Sequence, residues 1–263
     1  MKRVTVITGA TGGLGGAFVE LLAKQGENLL LTGRSEDKLL ALKNRLAEEY
    51  LTIAVEVCAA DLTDENSRLT LLERMQDENI RIGRLVNVAG ADIQKAFEEY
   101  TQEKIAFQCR ANFEAALSLC HAALKNADEG LEIVNISSVS GIYPMPYFAI
   151  YSAAKGALTS FSVALREEVK KKGVKVTAVL PGAMPTREDV KAQIKGQGLW
   201  GKIAAKSPRW VAEKSLKAVR KNKRKYIPGF GNKLMNFGTK LLPLSWKLAF
   251  IAKRWSKISK DAF

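Results

Sequence analysis

The sequence predicts one α/β domain, a doubly wound parallel sheet of seven strands with helices on both faces, extended on its C-terminal side by a basic helical segment. Three observations lead there. Short β-branched apolar runs alternate with longer amphipathic stretches, the pattern of β-α units laid around a parallel sheet. A glycine-rich turn stands between the first apolar run and the first amphipathic stretch. Charge divides the chain, with −3 over residues 1–190 and +17 over residues 191–263, together the net +14 of all 263 residues.

Strands are expected at Val4–Thr8, Leu29–Thr32, Ile53–Val57, Leu85–Val88, Ile133–Ile136, Val174–Val179 and Tyr226–Ile227. Between them apolar residues recur at the spacing of one helix face, as in Phe18, Leu21 and Leu22, in Leu39, Leu42 and Leu46, and in Leu158, Phe161 and Leu165. No Pro/Gly/Ser-rich linker interrupts this series, so residues 1–229 read as one domain and residues 230–263 as a basic amphipathic extension. In the extension two helices, Asn232–Leu242 and Ser245–Ser259, are separated by Pro243. Leu244, Leu248, Ile251, Trp255 and Ile258 fall on one stripe, with Lys253, Lys257 and Lys260 largely opposite. That stripe requires a cover. The candidates are the domain itself, a second copy of the chain in a homo-oligomer, or, through residues 233–260, the interface of an anionic membrane. The stretch is too short and too charged to span a bilayer.

Composition removes several classes. At 47% hydrophobic and 26% charged residues the chain is globular, not disordered. Cys58, Cys109 and Cys120 are odd in number and lack metal-ligand spacing, and His121 stands alone, so neither a disulfide scaffold nor a metal site is expected. Lys2 and Arg3 precede an apolar run, Val4–Ile7, that meets Gly9 too early for a signal-peptide core. A cytoplasmic protein is expected, peripheral at the inner face of the membrane if the extension docks there. The basic residues of the extension are mixed into an apolar stripe and form no recognised binding motif, so nucleic acid is not an expected partner.

The first strand runs into Thr8-Gly9-Ala10-Thr11-Gly12-Gly13-Leu14-Gly15. Glycines there permit φ > 0 and let backbone N–H groups approach a phosphate, while the helix N-terminus sets positive dipole charge against a pyrophosphate. Gly9, Thr11, Gly13, Leu14 and Gly15 are therefore candidate nucleotide-binding residues. After the second strand stands Thr32-Gly33-Arg34-Ser35, with an arginine where a ribose-gripping carboxylate is common. A guanidinium pairs bidentately with phosphate oxygens, so Arg34 points to NADP(H). Asp61 follows the third strand, and Asn87-Val88-Ala89-Gly90 ends the fourth. Asn135-Ile136-Ser137-Ser138 ends the fifth, and Tyr151 with Lys155 stands at i, i+4 beyond a Gly/Pro-containing loop, on one face of a long helix. A second Tyr-x-x-x-Lys, Tyr100 to Lys104, has no strand-end serine upstream and reads as helix surface.

These motifs, in this order on these elements, resemble the short-chain dehydrogenase/reductase family over residues 3 to about 227. The resemblance implies a Rossmann-type catalytic domain and an NADP(H)-dependent oxidoreductase that interconverts an alcohol and a carbonyl. It implies catalytic roles for Asn112, Ser138, Tyr151 and Lys155, and cofactor contacts from Asp61, Asn87, Gly90, Tyr151, Lys155 and the Pro181, Gly182 and Thr186 segment. Val88 replaces the second asparagine of the family's Asn-Asn-Ala-Gly segment, which bears on a polar contact of the central sheet.

The implied proton chemistry follows from charge. A tyrosine titrates near ~10, and an ammonium at about 6 Å favours its phenolate by roughly 2.8 kcal/mol at an effective dielectric near 20, which brings the phenol towards ~8. Tyr151 is thus expected to be the acid/base, Ser138 to polarise the carbonyl oxygen, and Asn112 to hold a water that links Lys155 to solvent. Residues 141–147, with Leu199, Trp200 and Ile203, are candidate walls of an apolar pocket, so the expected substrate is a small lipophilic carbonyl or alcohol. The alternative from another class is a non-catalytic nucleotide sensor or scaffold on the same fold.

Overall fold

The computed structural model describes residues 2–185, 205–240 and 242–256. Seven strands form one parallel sheet in the order β3-β2-β1-β4-β5-β6-β7. They are β1 (Lys2–Thr8), β2 (Asn28–Gly33), β3 (Val55–Ala59), β4 (Ile80–Asn87), β5 (Ala127–Ile136), β6 (Lys175–Val179) and β7 (Lys225–Tyr226). The helices among the described residues are α1 (Gly13–Ala23), α2 (Glu36–Glu49), α3 (Glu65–Met75), α4 (Gln102–Cys109), α5 (Ala115–Lys125), α6 (Ala149–Val169), α7 (Pro208–Arg220), α8 (Phe230–Lys240) and α9 (Leu244–Trp255).

Alternation along the strands divides the core in two. Val6, Leu30, Leu85 and Ile133 face one side, against Leu71 of α3, Leu119 of α5 and Leu165 of α6. Their neighbours Ile7, Leu31, Val86 and Val134 face the other, against Phe18 of α1, Leu39 of α2 and Leu216 of α7. Each fully buried side chain of this size contributes about 1.5 to 3 kcal/mol, so both faces of the sheet are closed by helices.

Strands β4 and β5 are longer than their apolar runs. Arg84 lies buried in β4 because Glu132 of β5 accepts from it at 2.8 Å and Glu27 pairs with it from the loop before β2. Lys175 of β6 adds a contact to Glu132 at 3.4 Å, so charge cancels within the sheet instead of interrupting it. Strand β3 starts at Val55, with Ile53 in the preceding turn.

Tyr100 differs from expectation, whereas Lys104 lies on α4. Tyr100 precedes α4, is half-buried, and donates its hydroxyl to Ile93 O at 2.7 Å, so its place is structural and not on a helix surface. Helices α8 and α9 lie close to the two expected in the extension, with Pro243 between them. Their stripe is covered in part by the chain's own domain: Ile251 is buried, Leu248 and Trp255 are half-buried, and Leu244 stays exposed. Ile258 lies outside the described residues. Among the described residues no helix is long and apolar enough to cross a membrane.

Candidate active site

All seven strands end along one edge of the sheet, and its winding reverses between β1 and β4, which opens a crevice there. A cavity of about 880 Å³ fills it. Its floor is the turn after β1. Gly9 adopts φ +62°, and a Cβ on Gly15 would stand 2.0 Å from Gly9 O, so only glycine permits the close approach of α1 to this turn. Helix α1 opens at Gly12 without a capping side chain, which leaves N–H groups of its first turn free to meet a ligand at the positive end of the helix dipole.

The remaining strand ends build outward from that cradle. Thr11, Gly13, Leu14, Gly33 and Arg34 line the cavity, and Arg34 is exposed at its outer end. Asp61 lines it after β3, with Oδ1 accepting from Thr63 N–H at 2.9 Å and from the Thr63 hydroxyl at 2.7 Å. Gly90, Pro181 and Gly182 line the inner end, where a Cβ on Gly90 would stand 2.7 Å from Asn112 Oδ1 and 3.1 Å from Lys155 Nζ. A cradle whose walls exclude even a methyl group, over an uncapped helix end, fits an extended phosphate-bearing nucleotide. The Asn87 side chain is buried and is not among the residues that line the cavity. Its Nδ2 donates to Asn135 Oδ1 at 2.8 Å, and Asn135 in turn donates to Ser162 on α6 at 2.9 Å, so the Asn87 amide braces the sheet against α6. Despite Val88, the segment after β4 is tied to β1: Val88 and Ala89 N–H both donate to Thr8 Oγ1 at 2.9 Å. Thr186, Leu199, Trp200 and Ile203 lie outside the described residues.

At the inner end the structure brings Ser138, Tyr151, Lys155 and Asn112 together on the cavity wall. Helix α6 is held to β5 by Ser137, whose hydroxyl meets Lys155 O and Thr159 Oγ1 at 2.7 Å each. The chain enters α6 through Tyr147 at φ +62°, a left-handed conformation rare for an aromatic residue, and Phe148 stacks on the Tyr151 ring at 4.4 Å. Ser138 Oγ accepts from Ser140 N–H at 3.1 Å and lies close enough to Tyr151 to favour its phenolate. Lys155 is buried, donates from Nζ to Ile136 O at 3.0 Å, and lies 5.7 Å from the Tyr151 ring centre. Asn112 sits in a π-type turn, Arg110–Glu114, between α4 and α5. Its amide is largely engaged by backbone, donating to Ala91 O at 2.7 Å and Gln108 O at 3.0 Å and accepting from Ala91 N–H at 3.2 Å.

The electrostatics overturn one expectation. Burial pushes the Tyr151 phenol up, the negative charge of Asp92 pushes it further, and the neighbouring Ser138 hydroxyl only partly opposes them. The phenol thus moves opposite to the expected depression, and Tyr151 holds its proton across neutral pH. Burial pulls Lys155 down to about 8, against the pull of Asp92 in the other direction. Asp92 was missed in the sequence, where its only signal is its place two residues beyond the glycine that ends the β4 segment. Also missed were the contributions of α9: Phe250, Ile251, Arg254 and Trp255 line the cavity together with Tyr143 and Met145. The loop before α6 does line apolar space, since residues 141–146 border a second cavity of about 470 Å³ that Leu248 of α9 closes.

A glycine-cradled crevice that ends on a phenol, a hydroxyl and an amine suits an oxidoreductase working with a nicotinamide cofactor. The sequence profile of the short chain dehydrogenase family matches residues 3–195, and the chain belongs to that family. An uncharacterised oxidoreductase of Staphylococcus saprophyticus is 31% identical over 220 residues, 82% of this chain and 91% of that protein. Among solved structures, a bulky-bulky ketone specific alcohol dehydrogenase from Comamonas testosteroni is 27% identical, with a TM-score of 0.75 over 100% of this chain and 96% of its own. A short-chain dehydrogenase from Sphingobium yanoikuyae in complex with NADPH is also 27% identical, with a TM-score of 0.73 over 100% and 98% of the two chains.

Proposed function

We propose that the chain is an NADP(H)-dependent oxidoreductase that interconverts an alcohol and a carbonyl in a small lipophilic substrate, with Ser138, Tyr151 and Lys155 as its catalytic residues. The observation that carries this reading is Tyr151 beside Ser138 and the buried amine of Lys155, together on the wall of the glycine-lined crevice. The glycine turn, Asp61, Gly90, Pro181 and Gly182 would hold the nucleotide, with Arg34 at the outer end where a 2′-phosphate would lie. When bound, the nicotinamide supplies or accepts the hydride.

Tyr151 Oη gives its proton to the carbonyl oxygen, and Ser138 Oγ donates a hydrogen bond to that oxygen as charge develops on it. A phenol that keeps its proton at neutral pH suits this direction. Lys155, with its charge poised near pH 8, stabilises the resulting phenolate and supplies the replacement proton. Asn112 positions the Ala91 segment and keeps one Oδ1 lone pair for a water that would connect Lys155 to solvent. The NADPH-bound relative from Sphingobium yanoikuyae supports the choice of cofactor, and the ketone-specific relative from Comamonas testosteroni, with the apolar wall of Tyr143, Met145, Phe250 and Trp255, supports the substrate class. The test is NADPH absorbance across a panel of lipophilic ketones and aldehydes. Wild type should consume NADPH with at least one of them and Tyr151→Phe should not; a variant that keeps most of its turnover removes Tyr151 from the chemistry. An anionic membrane surface as a partner of residues 233–260 belongs to the same proposal, and the outer face of the extension carries it further.

A further inference from the structure

We infer that the outer face of α8 and α9 is a docking surface for an anionic lipid bilayer, placed so that the mouth of the cavity meets the lipid. The inference rests on the proposed lipophilic substrate for its purpose, and on the surface itself for its physics. Phe230, Leu234 and Phe237 fall at i, i+4 and i+7 on α8, Trp246 and Phe250 at i and i+4 on α9, and Leu244 lies between the two groups. All six are between 52% and 79% exposed. A face of large apolar side chains in water needs an occupant.

Charge selects that occupant. Between Glu213 and Asp261 the sequence contains no carboxylate side chain, while residues 230–260 carry seven lysines and arginines. A second copy seated face to face would bring two such clusters together without a counter-charge, whereas an anionic headgroup layer supplies one. Aromatic and aliphatic side chains flanked by Lys233 and Lys253, on helices that do not span, are the pattern of a segment lying in the interface plane. The placement is specific to the site. Phe250 is exposed on this face and also lines the cavity, and Ile251 and Trp255 continue its wall inward. Asn232, on the inner side of α8, donates to Pro228 O at 2.8 Å and packs against Gly182 at the inner end of the crevice. Both helices thus carry exposed apolar side chains and border the cleft.

The test is sedimentation of the full chain with vesicles of phosphatidylcholine alone and of phosphatidylcholine mixed with phosphatidylglycerol, at low and high salt. Wild type is expected to pellet with the anionic vesicles at low salt and to be released as salt rises, each basic residue at the surface being worth roughly fivefold in partition. A Phe237→Glu, Trp246→Glu double variant, altered outside the cavity wall, should bind at least about tenfold more weakly. Its thermal unfolding and its NADPH consumption with a water-soluble ketone should match wild type, while a long-chain ketone dissolved in anionic vesicles should be reduced more slowly. Wild type that stays in the supernatant, equal binding to both vesicle types, or a double variant that pellets like wild type overturns the inference. A dimer in place of vesicle binding, broken by the double variant, assigns the face to a second copy and also overturns it. Vesicle binding without NADPH consumption on any ketone leaves the docking surface standing and refutes the catalytic reading.

Discussion

Replacing Lys155 with methionine separates what this side chain costs the fold from what it does for the reaction. The amine is buried and titrates at about 8 instead of its ordinary 10.5. Below pH 8 both folded and unfolded chains carry the proton, and the folded state bears the full cost of the buried charge, about 3 kcal/mol. Between pH 8 and 10.5 the folded chain sheds the proton while the unfolded chain keeps it, so stability rises with pH through that window. A methionine side chain at this position cannot titrate. It fills much the same volume but loses the donation to Ile136 O, which costs about 1 to 3 kcal/mol at every pH. Chemical denaturation of wild type and Lys155→Met at about pH 7 and about pH 10 isolates the titration. The wild type should gain about 2 to 3 kcal/mol on the variant between those two values. Parallel behaviour of the two proteins across that range would refute the burial argument, whatever their activities. NADPH consumption by Lys155→Met should meanwhile collapse.

Tyr151→Phe keeps the ring stacked on Phe148 but deletes the proton, and turnover should fall about a hundred- to ten-thousandfold. Tyr100→Phe, which only breaks the bond to Ile93 O, should leave turnover intact and cost about 1 kcal/mol in denaturant unfolding. Arg34→Ala should weaken NADPH binding about ten- to a hundredfold in fluorescence titration and leave NADH nearly unaffected, and equal losses for both would remove the 2′-phosphate assignment. Asp92 raises the pKa of both Tyr151 and Lys155, so Asp92→Asn should move the limb of the pH profile for alcohol oxidation to lower pH. An unmoved limb would show that Asp92 does not bear on the phenol.

The sheet was readable because a parallel strand is buried on both faces and writes itself as a continuous apolar run, as at Leu29–Thr32 and Val174–Val179. Where Arg84 and Glu132 neutralise each other inside β4 and β5, the run is interrupted although the strand is not, and only the ends nearest the cavity were visible. The candidate site was readable where backbone shape demands a residue type, as at Gly15, and where spacing along α6 fixes a shared face, as for Tyr151 and Lys155. Asn87 carried the right motif, and its amide nitrogen turns to Asn135 inside the sheet. The state of the Tyr151 phenol was not readable, because it depends on burial and on Asp92, which no local pattern connects to it. The amphipathic stripe of the extension announced that something covers it, and three-dimensional placement was needed to show that Ile251 and Trp255 turn towards the chain's own cleft.

That placement sets an order of assembly. A ribosome delivers the chain from its N-terminus, and the sheet is complete once β7 has emerged at Tyr226. The glycine cradle, Ser138, Tyr151 and Lys155 all precede that point, whereas Phe250, Ile251 and Trp255 follow it. On the proposed reading, a nascent chain therefore acquires its nucleotide crevice and proton-transfer groups before it has the wall that would enclose a substrate. Cofactor captured at that stage would brace the half-finished domain through mass action, while the open side of the cleft still lacks α9.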